Sequence, residues 1–325
     1  IYTLFGSLFM LIGLIYLYNH TNLDGMKSWA AQDLYDAGRS LSASQQGAVF
    51  WLIFIAFAIK MPIFPFHTWQ PDTYVVAPTQ GTMLLSGIML KMGTFGTIKW
   101  LLPMVPLGLE KWGGTAVGLS VIGIIYASII AISQKDFKRL IAYSSIAHVG
   151  LISAGILSAN QQGIQGAIMQ MLAHGVNVVG LFFIADILLR HTGTREIDKL
   201  GGIRNMNGNF AVLFLIVLLG SVALPLTNGF IGEFLLINGV YQYSSMMAAF
   251  AGLTVILGAV YMLRSYQNIM LGERKDSNLS FGALAASDKA VLIIICTVII
   301  AFGVYPKPLN DLAEQGAKTI IELMK

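Results

Sequence analysis

Long apolar runs follow one another along the chain, with short polar connections between most of them. A run of about 18 or more apolar residues is long enough for a helix to cross a bilayer. The pattern predicts nine such helices, near residues 1–18, 47–74, 79–103, 114–133, 139–157, 163–190, 209–241, 246–271 and 289–305. The long polar stretch 19–46 predicts a helix on the membrane surface. We therefore expect an all-α, polytopic membrane protein.

Two of the predicted helices are interrupted in similar ways. KMPIFPFHTW breaks the second helix at Pro62 and Pro65, and LPLTNGFIGEF breaks the seventh at Pro225, Asn228 and Gly229. Proline removes a backbone donor and clashes with the preceding turn. The breaks lie five helices apart, an odd interval that predicts two repeats of opposite orientation. Matching broken helices in inverted repeats indicate an ion pathway.

The composition supports a membrane protein and excludes several other classes. The 325 residues are 56% hydrophobic and 11% charged, with a mean hydropathy of +0.71, which excludes a soluble domain. The net charge of +4 comes mostly from loops beside the spans and does not indicate a nucleic acid partner. Cys296 is the only cysteine, which excludes disulfides, zinc clusters and thiolate-bound iron–sulfur centres within this chain.

Basic residues are distributed unevenly between the two sides of the membrane. If the chain crosses the bilayer with each predicted helix, one side of the membrane receives these basic residues: Lys135, Lys138, Arg139, Arg190, Arg195, Lys199, Arg204, Arg274, Lys275 and Lys289. The other side receives Lys27, Arg39, Lys111 and the lysines of the C-terminal tail. By the positive-inside rule the first side is cytoplasmic, and the C-terminus faces the opposite compartment.

Five titratable residues fall at a similar depth within the predicted spans: Lys60, Lys91, His148, His174 and Glu233. A charge at the bilayer centre costs at least about 2.5 kcal/mol on insertion scales, so each of these residues needs a reason. Burial disfavours the charged form of a lysine, which makes proton exchange accessible. The arrangement predicts a lateral proton path in the plane of the membrane.

Neighbouring polar residues support a hydrated path. Gln170, His174 and Asn177 share one face of a helix, and Ser144 and His148 share a face of another. A lone polar residue in a membrane protein often joins helices instead, so a structural role for each one stays open. The two histidines also leave open a haem between them. No nucleotide-binding or metalloprotease motif occurs in the chain.

The chain resembles a known family in four stretches: KMPIFPFHTWQPDTYVVAPTQGTMLLSGIMLKMG, DFKRLIAYSSIAHVG, GAIMQMLAHGVNVVGLFF and LPLTNGFIGEF. These are similar to the antiporter-like subunits of NADH:quinone oxidoreductase (respiratory complex I), which share their fold with multisubunit sodium/proton antiporters. Most members carry a lysine in the second broken helix. Glu233, in its GEF context, makes the chain similar to the branch called subunit M in bacteria and subunit 4 in mitochondria.

The resemblance implies roles for the same five residues. Lys60 matches the lysine of the first broken helix, Lys91 the connecting lysine, and His148 and His174 the histidines of the second half. Glu233 matches the terminal proton carrier.

The resemblance also implies a domain organisation with two inverted repeats of five helices each. Residues 1–110 then hold the end of the first repeat, 111–272 the second repeat, and 273–325 a last transmembrane helix and tail. Family members pair the equivalent of Lys60 with a glutamate on an earlier helix, and about five helices are expected to precede this chain.

The expected function is proton translocation as a membrane-arm subunit of complex I in a bacterial inner membrane, with the C-terminus on the periplasmic side. No cofactor is expected in this chain, since the resemblance implies that NADH, FMN, iron–sulfur clusters and quinone bind to partner subunits. Further antiporter-like subunits on either side and lipids are the expected partners. The alternatives are a subunit of an Mrp-type sodium/proton antiporter and a membrane scaffold whose charges only fix helix packing.

Overall fold

The computed structural model describes residues 1–21, 26–275 and 281–324, and this part of the chain is almost wholly helical. The helices are α1 (Tyr2–His20), α2 (Ala31–Ser40), α3 (Ala43–Lys60), α4 (Trp69–Val76), α5 (Thr79–Leu84), α6 (Lys91–Gly96), α7 (Leu102–Met104), α8 (Pro106–Ser133), α9 (Phe137–Leu157), α10 (Gln161–Thr192), α11 (Gly208–Ser221), α12 (Asn228–Tyr243), α13 (Ser245–Met270), α14 (Ala286–Val304) and α15 (Lys307–Met324).

Every predicted apolar segment contains helix. Within the part of the chain that the structure describes, seven helices are long and apolar enough to cross a membrane: α1, α3, α8, α9, α10, α13 and α14. The segment 79–104 consists of α5, α6 and α7 joined by π-helical turns at Leu85–Met89 and Thr97–Leu101. The segment 208–243 is divided into α11 and α12. The predicted all-α membrane fold with two broken helices is confirmed.

The first break follows Lys60, and local hydrogen bonds satisfy carbonyl groups at this end of α3. The amide of Ile63 donates to the Ala58 carbonyl over 2.8 Å, which ends α3. Trp69, at the start of α4, donates its indole Nε1–H to the Ile59 carbonyl over 2.9 Å. A helix end leaves carbonyls without partners, so this indole satisfies a group that bilayer lipid could not.

The second break lies between α11 and α12, where the backbone makes a tight turn. Ala223 and Leu226 both adopt positive φ angles, 57° and 72°, which are rare for residues with a Cβ. Gly303 of α14 lies directly against this turn, because a Cβ there would come 2.2 Å from the Leu226 carbonyl oxygen. α14 therefore packs closely on the break.

α9 lies at the centre of the packing, and 94% of its most apolar 18-residue stretch is buried inside the protein. The backbones of α10 and α12 touch along a seam of glycines, which we call the glycine seam. A Cβ on Gly239 would lie 2.5 Å from the Cα of Gly163, and one on Gly232 would lie 2.6 Å from Gln170 Oε1. Small residues allow this close approach of membrane helices, and it fixes α12 beside α10.

The loops 133–137, 192–207 and 271–275 meet on one side of the molecule, which we call the basic face. Phe137 donates its amide to the Arg195 carbonyl over 3.0 Å, and Gly202 donates to Leu271 over 3.0 Å. The loop before α5 joins them, because the Lys138 ammonium donates to the Ala77 carbonyl over 2.7 Å. Most of the basic residues predicted to share one side thus lie in these contacting loops or in the adjoining ends of α9 and α10.

Helices α2 and α15 are not among the helices long and apolar enough to cross a membrane. α2 is the predicted surface helix, and its Tyr35 hydroxyl donates to the Lys99 carbonyl over 2.7 Å. Residues 22–25 of that polar stretch lie outside the described residues. The predicted tail is instead the helix α15, which buries Ala313, Ala317 and Ile320 on one face. These positions are spaced four and three residues apart, the periodicity of an amphipathic helix.

Candidate functional site

Lys91 begins α6, directly after the first π-helical turn. A Cβ on Gly175 of α10 would lie 3.1 Å from the Gly87 carbonyl oxygen, so the two backbones approach closely at this point. The Lys91 ammonium donates to the Ser86 carbonyl over 2.5 Å and lies 2.8 Å from His174 Nδ1. π-helical turns are frequent at functional sites, and here one of them places a lysine against a histidine.

His174 continues the contacts towards α9. Its Nε2 lies 3.1 Å from the Ser145 hydroxyl oxygen. An ammonium group has only donors, so Nδ1 accepts from charged Lys91 and Nε2 then carries a proton. The His174 ring lies 5.8 Å from the His148 ring, measured between centroids. The two histidines are thus neighbours across α9 and α10.

Glu233 lies on α12 at the far end of these contacts. Its Oε1 is 2.9 Å from His148 Nδ1 and accepts a 3.0 Å hydrogen bond from Gln170 Nε2. The His148 side chain is 5% exposed and that of Glu233 is 3% exposed. Neither His148 nitrogen is aligned for a hydrogen bond with any described residue, so the contact between His148 and Glu233 is ionic only when the imidazole is protonated. The glycine seam holds Glu233 beside Gln170.

Four titratable side chains therefore follow one another in space: Lys91, His174, His148 and Glu233. We call them the buried polar series. A small cavity beside them is lined by both histidines together with Ser144, Ser145, Gln170 and Asn177. Its water-accessible volume of about 10 Å³ is close to what one water needs. Gln170 Oε1 and Asn177 Oδ1 face no hydrogen-bond partner among the described residues, as expected if they bind water.

Lys60 is not joined to the buried polar series. It is half-buried at the end of α3, and it makes no hydrogen bond or ion pair with any residue that the structure describes. A Cβ on Gly93, two residues beyond Lys91, would lie 3.0 Å from the Lys60 Cβ. His67 is buried after the same break, with its ring 5.1 Å from that of Tyr126. The first broken helix thus borders the site without contacting its charges.

Sequence reasoning missed two hydroxyl groups at this site. Ser145 contacts His174, and the Tyr261 hydroxyl of α13 donates to Ser144 over 3.2 Å. Ser145 lies three residues before His148, a helical spacing that could have identified it. Tyr261 gives no such signal, because only the tertiary fold brings α13 to α9.

The residues present do not suit a haem. The cavity beside His148 and His174 has room for about one water and none for a macrocycle. Within residues 1–21, 26–275 and 281–324, no three His, Cys, Asp or Glu side chains are grouped to bind a metal ion.

Comparison with known proteins identifies the family. Residues 1–258 match the family described as NADH:quinone oxidoreductase/Mrp antiporter, transmembrane. NADH-quinone oxidoreductase subunit M of Rickettsia prowazekii is 43% identical over 322 residues, which cover 99% of this chain and 65% of that protein. The chain thus spans less than two thirds of the length of that relative.

Two solved structures share the fold. A chain of respiratory complex I from Thermus thermophilus with bound NADH is 30% identical, with a TM-score of 0.91, over 100% of this chain and 68% of that one. A chain of the Mrp complex from Dietzia sp. is 18% identical with a TM-score of 0.85, over 100% of this chain and 68% of that one. The resemblance seen in the sequence motifs is confirmed: the chain belongs to the NADH:quinone oxidoreductase/Mrp antiporter transmembrane family.

Proposed function

We propose that the chain translocates protons as a membrane-arm subunit of a NADH:quinone oxidoreductase in a bacterial inner membrane. The observation that carries this proposal is the buried polar series. Four titratable side chains follow one another among apolar helices, three of them buried and Lys91 half-buried, which is costly in a membrane and suited to moving charge. The similarity to subunit M of Rickettsia prowazekii supports the choice of complex.

Proton movement along the series follows from its contacts. The Lys91 ammonium gives a proton to His174 Nδ1, and His174 releases one from Nε2 towards Ser145 and the cavity water. His148 takes up that proton and passes it to Glu233, 2.9 Å away. The transfer leaves Lys91 neutral, His174 with its proton on Nδ1 and Glu233 protonated. A full cycle therefore needs a new proton for Lys91, release of the proton from Glu233 and return of the His174 proton to Nε2.

Electrostatic repulsion between neighbours is large enough to drive such a transfer. Two unit charges 5.8 Å apart repel by about 3 kcal/mol at an effective dielectric near 20. Moving one charge against 100 mV requires about 2.3 kcal/mol. A change of charge on one of these histidines can therefore move a proton on its neighbour.

Redox chemistry then takes place in partner subunits that bind NADH, FMN, iron–sulfur clusters and quinone. Their free energy reaches this chain as a change of charge beside Lys60 or Lys91, transmitted through antiporter-like subunits on either side. We assign residues 1–110 to the end of the first inverted repeat and 111–272 to the second. Residues 273–325 then follow the repeats as α14 and α15.

The first prediction tests the series in the intact complex. Lys91→Ala and Glu233→Gln should each abolish most NADH-driven proton pumping in inverted membrane vesicles, because each removes one carrier. Lys99→Ala is the matched control, since Lys99 lies about two turns further along the same helix, outside the series. Assembly is checked on a native gel.

Normal pumping in fully assembled Lys91→Ala and Glu233→Gln complexes would contradict the proposal and favour a structural role for these charges. The Mrp-type antiporter is the second candidate, supported by the family match and by the fold shared with the Dietzia complex. Vesicles in which a sodium gradient, but not NADH, drives proton movement through this protein would favour that candidate.

A further inference from the structure

A cleft of about 340 Å³ opens on the basic face, between α8, α9, α13 and the loop 192–207. Lys135, Asp198, Arg264 and Asn268 line it, so its outer part is polar and charged. Tyr261 lines the same cleft. α13 ends at Met270, on the side of the basic face. Tyr261 comes earlier in the helix, about 13 Å from Met270 along the helix axis. The cleft therefore extends from the surface to Tyr261.

The buried cavity of the site approaches the same point from the other side. Ser144 lines that cavity together with His148 and His174. The Tyr261 hydroxyl donates to the Ser144 hydroxyl over 3.2 Å. Tyr261 is 1% exposed and Ser144 is 2% exposed, so only a small part of Tyr261 borders the cleft. One hydrogen bond between two hydroxyls thus separates the cleft from the cavity.

The partner of Tyr261 distinguishes it from a tyrosine that only packs. Tyr266, on the same helix, donates its hydroxyl to the Ala211 backbone carbonyl over 3.1 Å. A carbonyl oxygen accepts a hydrogen bond but has no proton of its own to pass on. Ser144 both accepts and donates, so a proton that reaches it can continue into the cavity.

We propose that Tyr261 and Ser144 form a proton relay that connects water in the basic-face cleft with the cavity of the buried polar series. The relay deepens the proposed function and rests on it. A hydronium ion in the cleft gives a proton to the Tyr261 oxygen and becomes water, while the Tyr261 hydroxyl proton moves to Ser144. Ser144 releases its own proton to the cavity water. One proton crosses, and both hydroxyls are regenerated and then reorient.

The test uses Tyr261→Phe and Ser144→Ala in the intact complex, with Tyr266→Phe as the matched control. Loss of a positioned proton-transfer group should lower the rate of NADH-driven proton pumping at least about tenfold in both relay variants. The residual coupled rate should also show a larger solvent deuterium isotope effect than in Tyr266→Phe. A packing defect alone would not increase that isotope effect.

Several outcomes separate the relay from the proposed function. If Glu233→Gln abolishes pumping while assembled Tyr261→Phe or Ser144→Ala pumps normally, the relay is overturned and the proposed function stands. If all three variants pump normally, the proposed function itself fails. Should Tyr261→Phe not assemble, Ser144→Ala carries the test, since it removes a single oxygen atom.

An independent measurement examines the cleft. Asn268→Cys should react with a membrane-impermeant thiol reagent added on the side of Lys135 and remain unlabelled from the other side. The label is read from the mass of the peptide that contains position 268. Lack of reaction from either side would overturn the aqueous cleft and with it the relay.

Discussion

Glu233 has two polar neighbours of different kinds, and they divide its electrostatic environment. His148 attracts the carboxylate only when the imidazole is protonated, whereas Gln170 donates a hydrogen bond to a carboxylate in either state of His148. A buried carboxylate without a donor is strongly destabilised. Gln170 therefore keeps Glu233 acceptable in the membrane when His148 is neutral.

Replacing Gln170 with leucine should destabilise the protein because Glu233 loses its permanent donor. Hydrogen bonds to charged groups are worth about 1.5–3 kcal/mol, so the purified complex should melt at a lower temperature. Gln162→Leu is the control, because the Gln162 side chain accepts a hydrogen bond from Gln242 at an exposed position of the same helix. Equal melting temperatures for the two variants would show that Gln170 does not stabilise Glu233.

The sequence identified the charged members of the site because charge in a membrane is expensive. Lys91, His174, His148 and Glu233 stand out in apolar runs, and the structure brings them together. Hydroxyl groups such as Tyr261 do not stand out, since they are common in membrane helices and their partners depend on tertiary contacts. For Lys60, the same reasoning predicts membership of the path, and its role stays a prediction.

Among the secondary-structure elements, the length of an apolar run predicts where a helix lies but predicts its internal geometry poorly. The breaks at Pro62 and Pro225 were visible in the sequence because proline cannot continue a helix. The π-helical turn at Leu85–Met89 was not, since no residue type in it excludes an ordinary α-helix. α15 was missed because its apolar positions are too few for a membrane span, although their spacing is helical.

The glycine seam should tolerate no side chain. In Gly239→Ala the new Cβ would meet the Gly163 backbone at 2.5 Å, and overpacking of this kind costs about 1–3 kcal/mol. We expect less of this chain in membranes and a lower melting temperature of the complex. Gly252→Ala is the matched control, because a Cβ there meets nothing within 4 Å. Equal stability of the two variants would argue against a tight α10–α12 contact.

At the scale of the whole molecule, the asymmetry of charge predicts its orientation. Lys135 on the basic face is 81% exposed, and Lys318 of α15 is 55% exposed. By the positive-inside rule, Lys135→Cys should react with an impermeant thiol reagent only from the cytoplasm and Lys318→Cys only from the periplasm. Right-side-out and inverted vesicles provide the two conditions. Labelling of both cysteines from one side would refute the predicted topology.

The glycine seam also limits how the molecule can move. Backbones in contact at Gly163 and Gly239 cannot slide past each other by a residue without collision, so this contact opposes sliding of α12 along α10. The contact therefore favours a constant separation between His174 on α10 and Glu233 on α12. It argues against a sliding stroke between these helices as the coupling signal of the proposed pump. We therefore expect the proposed coupling to reach Glu233 as a change of charge, or through movement of α9 and its His148, which lies 2.9 Å from the Glu233 carboxylate.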